Sequence, residues 1–149
     1  MTLEGSNIPT GSVLIFRVPA RLEDIRMLGI SVHALFQNLG FNEKATYQLE
    51  LSIVESANNI VKHAGLDKNK AQINMKFAVM SDKVICTFVD SGKPNDCLLQ
   101  KSQKDTATYI NELPVSKRGL TIVHNVMDTV SYMRANGKNV LTLVKYLSN

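Results

Sequence analysis

The stretch from Asn42 to Gly65 constrains this chain more than any other. It is long, apolar on most of its faces, and carries one polar stripe at helical spacing. Glu55, Asn59 and His63 stand four residues apart. Four residues turn an α-helix by about 400°, so the three drift only ~40° per step and share one side. Leu49, Leu51, Ile53, Val54, Ile60 and Val61 occupy the other faces. A helix this apolar is expected to be largely buried, so the carboxylate and amide on it need partners, because an unpaired buried polar group costs on the order of 1–3 kcal/mol. A bound metal and phosphate would supply them. Asn42 fits an N-cap with Glu43 in the first turn, and Gly65 ends the helix after His63.

The flanking periodicities fill in the fold. Residues 13–18 (VLIFRV) form a short β-type run before Pro19, and residues 21–39 place Leu22, Ile25, Leu28, Val32, Leu35, Phe36 and Leu39 at helical spacing, with Gly40 closing that helix. After Gly65 the period changes. Residues 71–79 alternate polar and apolar, Ser81-Asp82 turn, and residues 83–89 return as the second strand of a hairpin. From Ser91 to Lys117 apolar periodicity lapses and Gly92, Pro94, Asn95 and Pro114 punctuate the chain, so residues 91–117 are expected to form a lid. A helix is expected to open near Arg118-Gly119. Residues 129–134 and 139–146 then pair across Ala135-Asn136-Gly137-Lys138. The order β-α-α-β-β-lid-α-β-β predicts an α+β fold, a two-layer sandwich with a mainly antiparallel sheet and helices on one face.

Length and composition bound the class. The 149 residues fit a single domain, 1–149, able to build a core without staples. No apolar run approaches the roughly 18 residues of a membrane span, and the N-terminus lacks a basic segment followed by an apolar one, so a cytoplasmic protein without membrane contact is expected. Two cysteines, Cys86 in a strand and Cys97 in a polar loop, make neither a disulfide framework nor a zinc site. The net charge of +4 comes from dispersed lysines with no basic stripe interleaved with aromatics, so no direct nucleic-acid binding is expected.

Several residues carry candidate chemistry. Asn59 has a side-chain carbonyl suited to Mg²⁺, and Glu55, one turn earlier, could accept a proton from an attacking hydroxyl. Glu55 could equally be a helix-surface carboxylate paired with Lys62 or another lysine, and His63 fits a polar contact at the helix end. Asp90 closes a strand and precedes Ser91-Gly92, which suits either a carboxylate that accepts an amine such as adenine's or an Asx-type turn. Lys93 and Pro94 follow in the same loop. Lys117, Arg118, Gly119, Leu120 and Thr121 open the last helix, whose start can hold an anion. The lid's excess of lysine over acid suits a triphosphate or a soluble loop.

In this order, E-x-x-x-N-x-x-x-H-A at 55–64, D-x-G-x-P at 90–94 and R-G-L-T-I-V at 118–123 resemble the three nucleotide boxes of the GHKL ATPases. Within them the chain looks most like the small RsbW-type anti-sigma factors, serine-protein kinases of bacterial partner-switching systems. The resemblance runs from the first strand to Leu147. It implies a Bergerat-type ATP fold with helices packed on one side of a mixed sheet, Glu55 as catalytic base, Asn59 as magnesium ligand, Asp90 as the adenine-reading carboxylate and Gly92 as the loop glycine beneath the base. Gly119, Leu120 and Thr121 would line the phosphates. ATP and Mg²⁺ would be bound, and the γ-phosphoryl group would pass to a serine of a STAS-type anti-anti-sigma protein. That antagonist, when unphosphorylated, draws the kinase away from a sigma factor or another regulated target. The family often forms dimers through its sheet, so a homodimer is also implied.

Two positions depart from the pattern. Lys117 stands where many relatives have glycine, which would strain the backbone if φ > 0 were required there. Val140 falls where relatives commonly place an adenine-contacting threonine, and Thr142, two residues on, shares its face. These departures define the alternative reading, a catalytically weak or inactive module that sequesters its partner stoichiometrically. A detached histidine-kinase catalytic domain ranks third. It would need a phosphoacceptor helix pair for which residues 1–20 leave no room, and His33 lies in a helix whose apolar face should serve this domain's own core.

Overall fold

Strand β1 (Val13–Pro19) leads into two antiparallel helices, α1 (Leu22–Asn38) and α2 (Glu43–His63), and the chain then enters β2 (Gln72–Val79) and β3 (Lys83–Asp90). Helix α3 (Val115–Val126) and the hairpin β4 (Thr129–Ala135) and β5 (Lys138–Tyr146) complete the order. The computed structural model describes residues 6–63, 65, 67, 70–95 and 115–147, without the side chains of residues 63 and 115–118. Most of the expected lid, residues 96–114, lies outside the described residues, as does Cys97.

The five strands form one sheet in the order β1-β2-β3-β5-β4, and every neighbouring pair is antiparallel. The expected mixed sheet is therefore corrected to a fully antiparallel one among the described strands. The connectivity explains this. With two helices between β1 and β2 the chain turns three times and so returns antiparallel to where it left. The segment through α3 brings β4 back in the same sense as β3, but β5 inserts between them. The helices cover one sheet face, and the core lies between the layers. Ile25, Leu28, Val32 and Phe36 from α1 and Leu49, Ile53 and Ala57 from α2 meet Met75, Phe77, Phe88, Leu141 and Leu143 there. Strand alternation sorts the rest. Asp90, Asn139, Leu141 and Leu143 take the helix-facing register, while Thr87, Val140 and Thr142 take the open face.

Local chemistry sets the element ends. Asn42 Oδ1 accepts the Ala45 amide at 2.9 Å and caps α2. Gly40, at φ +90°, lets α1 end with the Gly40 amide on the Gln37 carbonyl and the Phe41 amide on the Phe36 carbonyl. The Phe41 ring then packs edge-on against Phe36, with centroids 5.8 Å apart. His33 Nδ1 meets Glu50 Oε2 at 2.6 Å across α1 and α2. Burial pushes the Cys86 thiol up to about 12, so it stays protonated and inert.

The β4–β5 turn uses the only positive-φ non-glycine residue among those described, Asn136 at 53°, followed by Gly137 at 72°. Two consecutive left-handed residues are what a two-residue hairpin needs to match strand twist. Gly137→Ala should therefore destabilise the protein by about 1–2 kcal/mol in urea unfolding, and an unchanged midpoint would contradict the turn assignment.

Candidate functional site

Helices α2 and α3 approach each other at one glycine. A Cβ built on Gly119 would collide with the Glu55 carboxylate, touching Oε2 and lying 3.1 Å from Cδ. Gly119 has no positive φ, so glycine is there for room rather than for backbone freedom. The missing side chain lets the Glu55 head lie directly against α3. No ion pair joins Glu55 to Lys62 among the described residues.

One turn further along α2, Asn59 is 6% exposed and its Nδ2 has no hydrogen-bond partner among the described residues. Asn58 Oδ1 on the same helix is unpartnered as well, while two buried hydroxyls there satisfy themselves. Ser52 Oγ donates to the Gln48 carbonyl at 2.9 Å and Ser56 Oγ to the Ser52 carbonyl at 2.8 Å. On α1 the Asn38 amide does the same, donating Nδ2 to the Ala34 carbonyl at 2.8 Å, whereas Asn59 is left with an unmet donor. On α3, buried Thr121 Oγ1 is likewise unpartnered. Native structures leave few such atoms, and Asn59 and Thr121 hold theirs on the two helices that meet at the Glu55–Gly119 contact, which suits a polar ligand there.

The second half of the site lies at the end of β3. Asp90 Oδ1 accepts the Gly92 amide at 2.9 Å, which is the Asx-type turn, and also accepts Asn139 Nδ2 at 2.9 Å. Oδ2 receives no donor among the described residues, so the turn uses one carboxylate oxygen and leaves the other open. Asn139, 1% exposed, donates in addition towards the Gly92 and Lys93 carbonyls at 3.0 and 3.1 Å. Arg134 Nη1 reaches Asn139 Oδ1 at 2.7 Å and the Gly92 carbonyl at 2.9 Å. The Asn95 amide donates to the Tyr132 hydroxyl at 2.8 Å. Residues 91–95, expected to begin a lid, are thus tied to the β4–β5 hairpin. Lys93 is exposed and its stem runs past Gly65, 3.5 Å from where a Cβ there would sit, while Pro94 is exposed beside it.

Four expectations change. Helix α3 opens at Val115, not near Arg118, because Val115-Ser116-Lys117 contains no breaker and directly follows Pro114 in sequence. Its first turn is therefore residues 115–118, and Gly119 follows that turn. Lys117 has a helical backbone, so the strain foreseen there is absent. Leu120 packs in the core and cannot offer its side chain to a phosphate. Thr142 pairs between Thr87 and Ser131 on the open sheet face, as Val140 does between Val89 and Met133, so neither side chain belongs to the site. The helix-facing residue opposite Asp90 is Asn139. The side chains of His63, Lys117 and Arg118 lie outside the described residues. Among the described residues no group of three or more His, Cys, Asp or Glu could hold a metal, and no helix is long and apolar enough to cross a membrane.

Residues 18–145 match the histidine kinase-like ATPase domain. The chain belongs to that family. Similar proteins include the serine-protein kinases RsbW of Oceanobacillus iheyensis, 26% identical over 137 residues covering 89% of this chain and 85% of that one, and of Bacillus subtilis, 23% identical over 137 residues with 89% and 84% covered. Among solved structures, the RsbU and RsbW domains of a Mycobacterium tuberculosis protein superpose with a TM-score of 0.66 at 16% identity, covering 93% of this chain and 33% of that longer one. The SiaB–SiaC complex of Pseudomonas aeruginosa gives 0.59 at 14%, with 89% of each chain covered. These two likenesses establish the shared α+β fold.

In this histidine kinase-like ATPase fold the Glu55–Gly119 contact makes a separable prediction. Gly119→Ala should leave unfolding free energy within about 1 kcal/mol of wild type, since alanine favours the helix and a carboxylate can swing aside. It should nevertheless cut ATP turnover as severely as Glu55→Gln. Turnover matching wild type would show that the position of Glu55 does not matter.

Proposed function

We propose that this protein is an anti-sigma factor and ATP-dependent serine-protein kinase that phosphorylates a STAS-type anti-anti-sigma partner in a bacterial partner-switching system. The observation that carries this reading is the Glu55 carboxylate at a helix crossing opened by Gly119, with unmet buried polar atoms, Asn59 Nδ2 and Thr121 Oγ1, on the two helices that meet there. Family membership and the RsbW relatives supply the reaction class, and the fold shared with the SiaB–SiaC complex supports a protein partner. The setting is the cytoplasm, the unphosphorylated partner draws the kinase away from a sigma factor or an equivalent target, and phosphorylation releases the partner.

Each residue has a role that its chemistry allows. Asp90 offers its open oxygen to the exocyclic amine of adenine, with Gly92 in the loop beneath the base. Asn59 would hold Mg²⁺ through its amide carbonyl, the amide group turning so that oxygen replaces the unmet nitrogen. Mg²⁺, when bound, neutralises phosphate charge and keeps most of its coordination for water and phosphate oxygens, which suits a site without a cluster of acidic ligands. Thr121 Oγ1 and the first-turn amides of α3 donate to the phosphates. Glu55 takes the proton from the partner's serine hydroxyl as its oxygen bonds to the γ-phosphorus and the bond to the bridging oxygen of ADP breaks. Lys117 and Val140 no longer favour the sequestering alternative, since one is helical and the other faces away from the site.

The test is partner phosphorylation with Glu55→Ala beside wild type, using a STAS protein encoded next to the kinase. The variant should lose at least about 100-fold in phosphoserine formation and bind the partner as wild type does. Equal phosphorylation by both proteins, or none by wild type despite tight partner binding, would refute the kinase reading.

A further inference from the structure

Outside the three motif boxes, Arg134 and Asn139 make an unusual investment in one short loop. Asn139 is buried on the helix-facing side of β5 and sends its amide nitrogen to three acceptors of the 90–93 segment, the Asp90 carboxylate and the Gly92 and Lys93 carbonyls. Its orientation is not ambiguous. Arg134 can only donate, and it lies 2.7 Å from Asn139 Oδ1, so the nitrogen must be the end that faces Asp90. Arg134 bonds the Gly92 carbonyl as well, and the Tyr132 hydroxyl holds the Asn95 amide. Three side chains of the β4–β5 hairpin therefore fix the backbone on both sides of Lys93, and Asp90 is locked through Oδ1 alone.

We propose that Arg134 and Asn139 are positioning residues that set base selectivity, clamping the 90–95 loop so that one fixed Asp90 oxygen faces the C6 substituent of a purine nucleotide. This deepens the ATP-binding reading and rests on it. A carboxylate held by one oxygen presents the other as an acceptor of fixed direction. That direction welcomes the 6-amino group of ATP and repels the 6-oxo group of ITP. If the clamp is released, the carboxylate rotates and the loop must order when the nucleotide arrives. Affinity for ATP then falls, while ITP loses its specific penalty. Arg134 acts at one remove, by fixing Asn139 and the Gly92 carbonyl. It is exposed on an edge strand, so its replacement threatens the fold least.

Titrating the full chain with ATP and with ITP tests this in wild type, Asn139→Leu, Arg134→Met and Arg134→Lys, with thermal unfolding in parallel. Wild type should prefer ATP by about tenfold or more. Asn139→Leu and Arg134→Met should each lower the ATP-to-ITP affinity ratio by at least about fivefold, chiefly by weakening ATP, and Arg134→Lys should restore part of it. A purely structural role would lower both affinities by one common factor, and that result, or an unchanged ratio in Arg134→Met, would overturn the clamp while leaving the nucleotide site intact. Wild type that binds neither nucleotide would overturn the nucleotide reading and the clamp together.

Discussion

Everything in this fold depends on one helix being buried with a polar stripe. Helix α2 packs against α1, α3 and the sheet core, so Glu55 and Asn59 are held in fixed places by the apolar residues around them. Ser52 and Ser56 show how a helix hides polarity when it has no further use for it, by returning the hydroxyl to its own backbone. Asn59 does not, and a protein of ordinary stability keeps an unmet amide only where a partner offsets its cost. Gly119 completes the arrangement from the facing helix by leaving room for the Glu55 head. Stability and chemistry are set by the same contact, and they separate at that glycine because alanine suits the helix but not the neighbouring carboxylate.

The sheet contributes through its strand order. With β5 inserted between β3 and β4, the end of β3 lies against the β4–β5 hairpin, and side chains far away in sequence reach the Asp90 loop. Tyr132, Arg134 and Asn139 are 37 to 49 residues from the groups they bind. The Asp90 loop is thus held in place before any ligand arrives, which would lower the ordering cost of binding there.

Much of this was legible from residues alone. The stripe on α2, the Asn42 cap, Gly40 and the Asn136-Gly137 turn each carry a short-range signal, and each forms as its chemistry requires. The start of α3 was misplaced because Gly119 reads as a boundary, whereas it is a gap in the second turn that accommodates Glu55. Asn139 was passed over in favour of Thr142 because alternation along one strand separates two faces without saying which is inside. Only the pairing of Asp90 with Asn139 across non-sequential strands decides that. One signal was available: Asn139 shares its alternation with the apolar Leu141 and Leu143.

The most direct test of the account is isothermal titration with ATP, with and without Mg²⁺, on the wild-type chain and on Asn59→Ala. A nucleotide site built around the unmet Asn59 amide predicts magnesium-dependent binding by wild type that weakens at least about tenfold in the variant, with both proteins equally folded. Equal affinities in the two proteins, or wild-type binding indifferent to Mg²⁺, would contradict it.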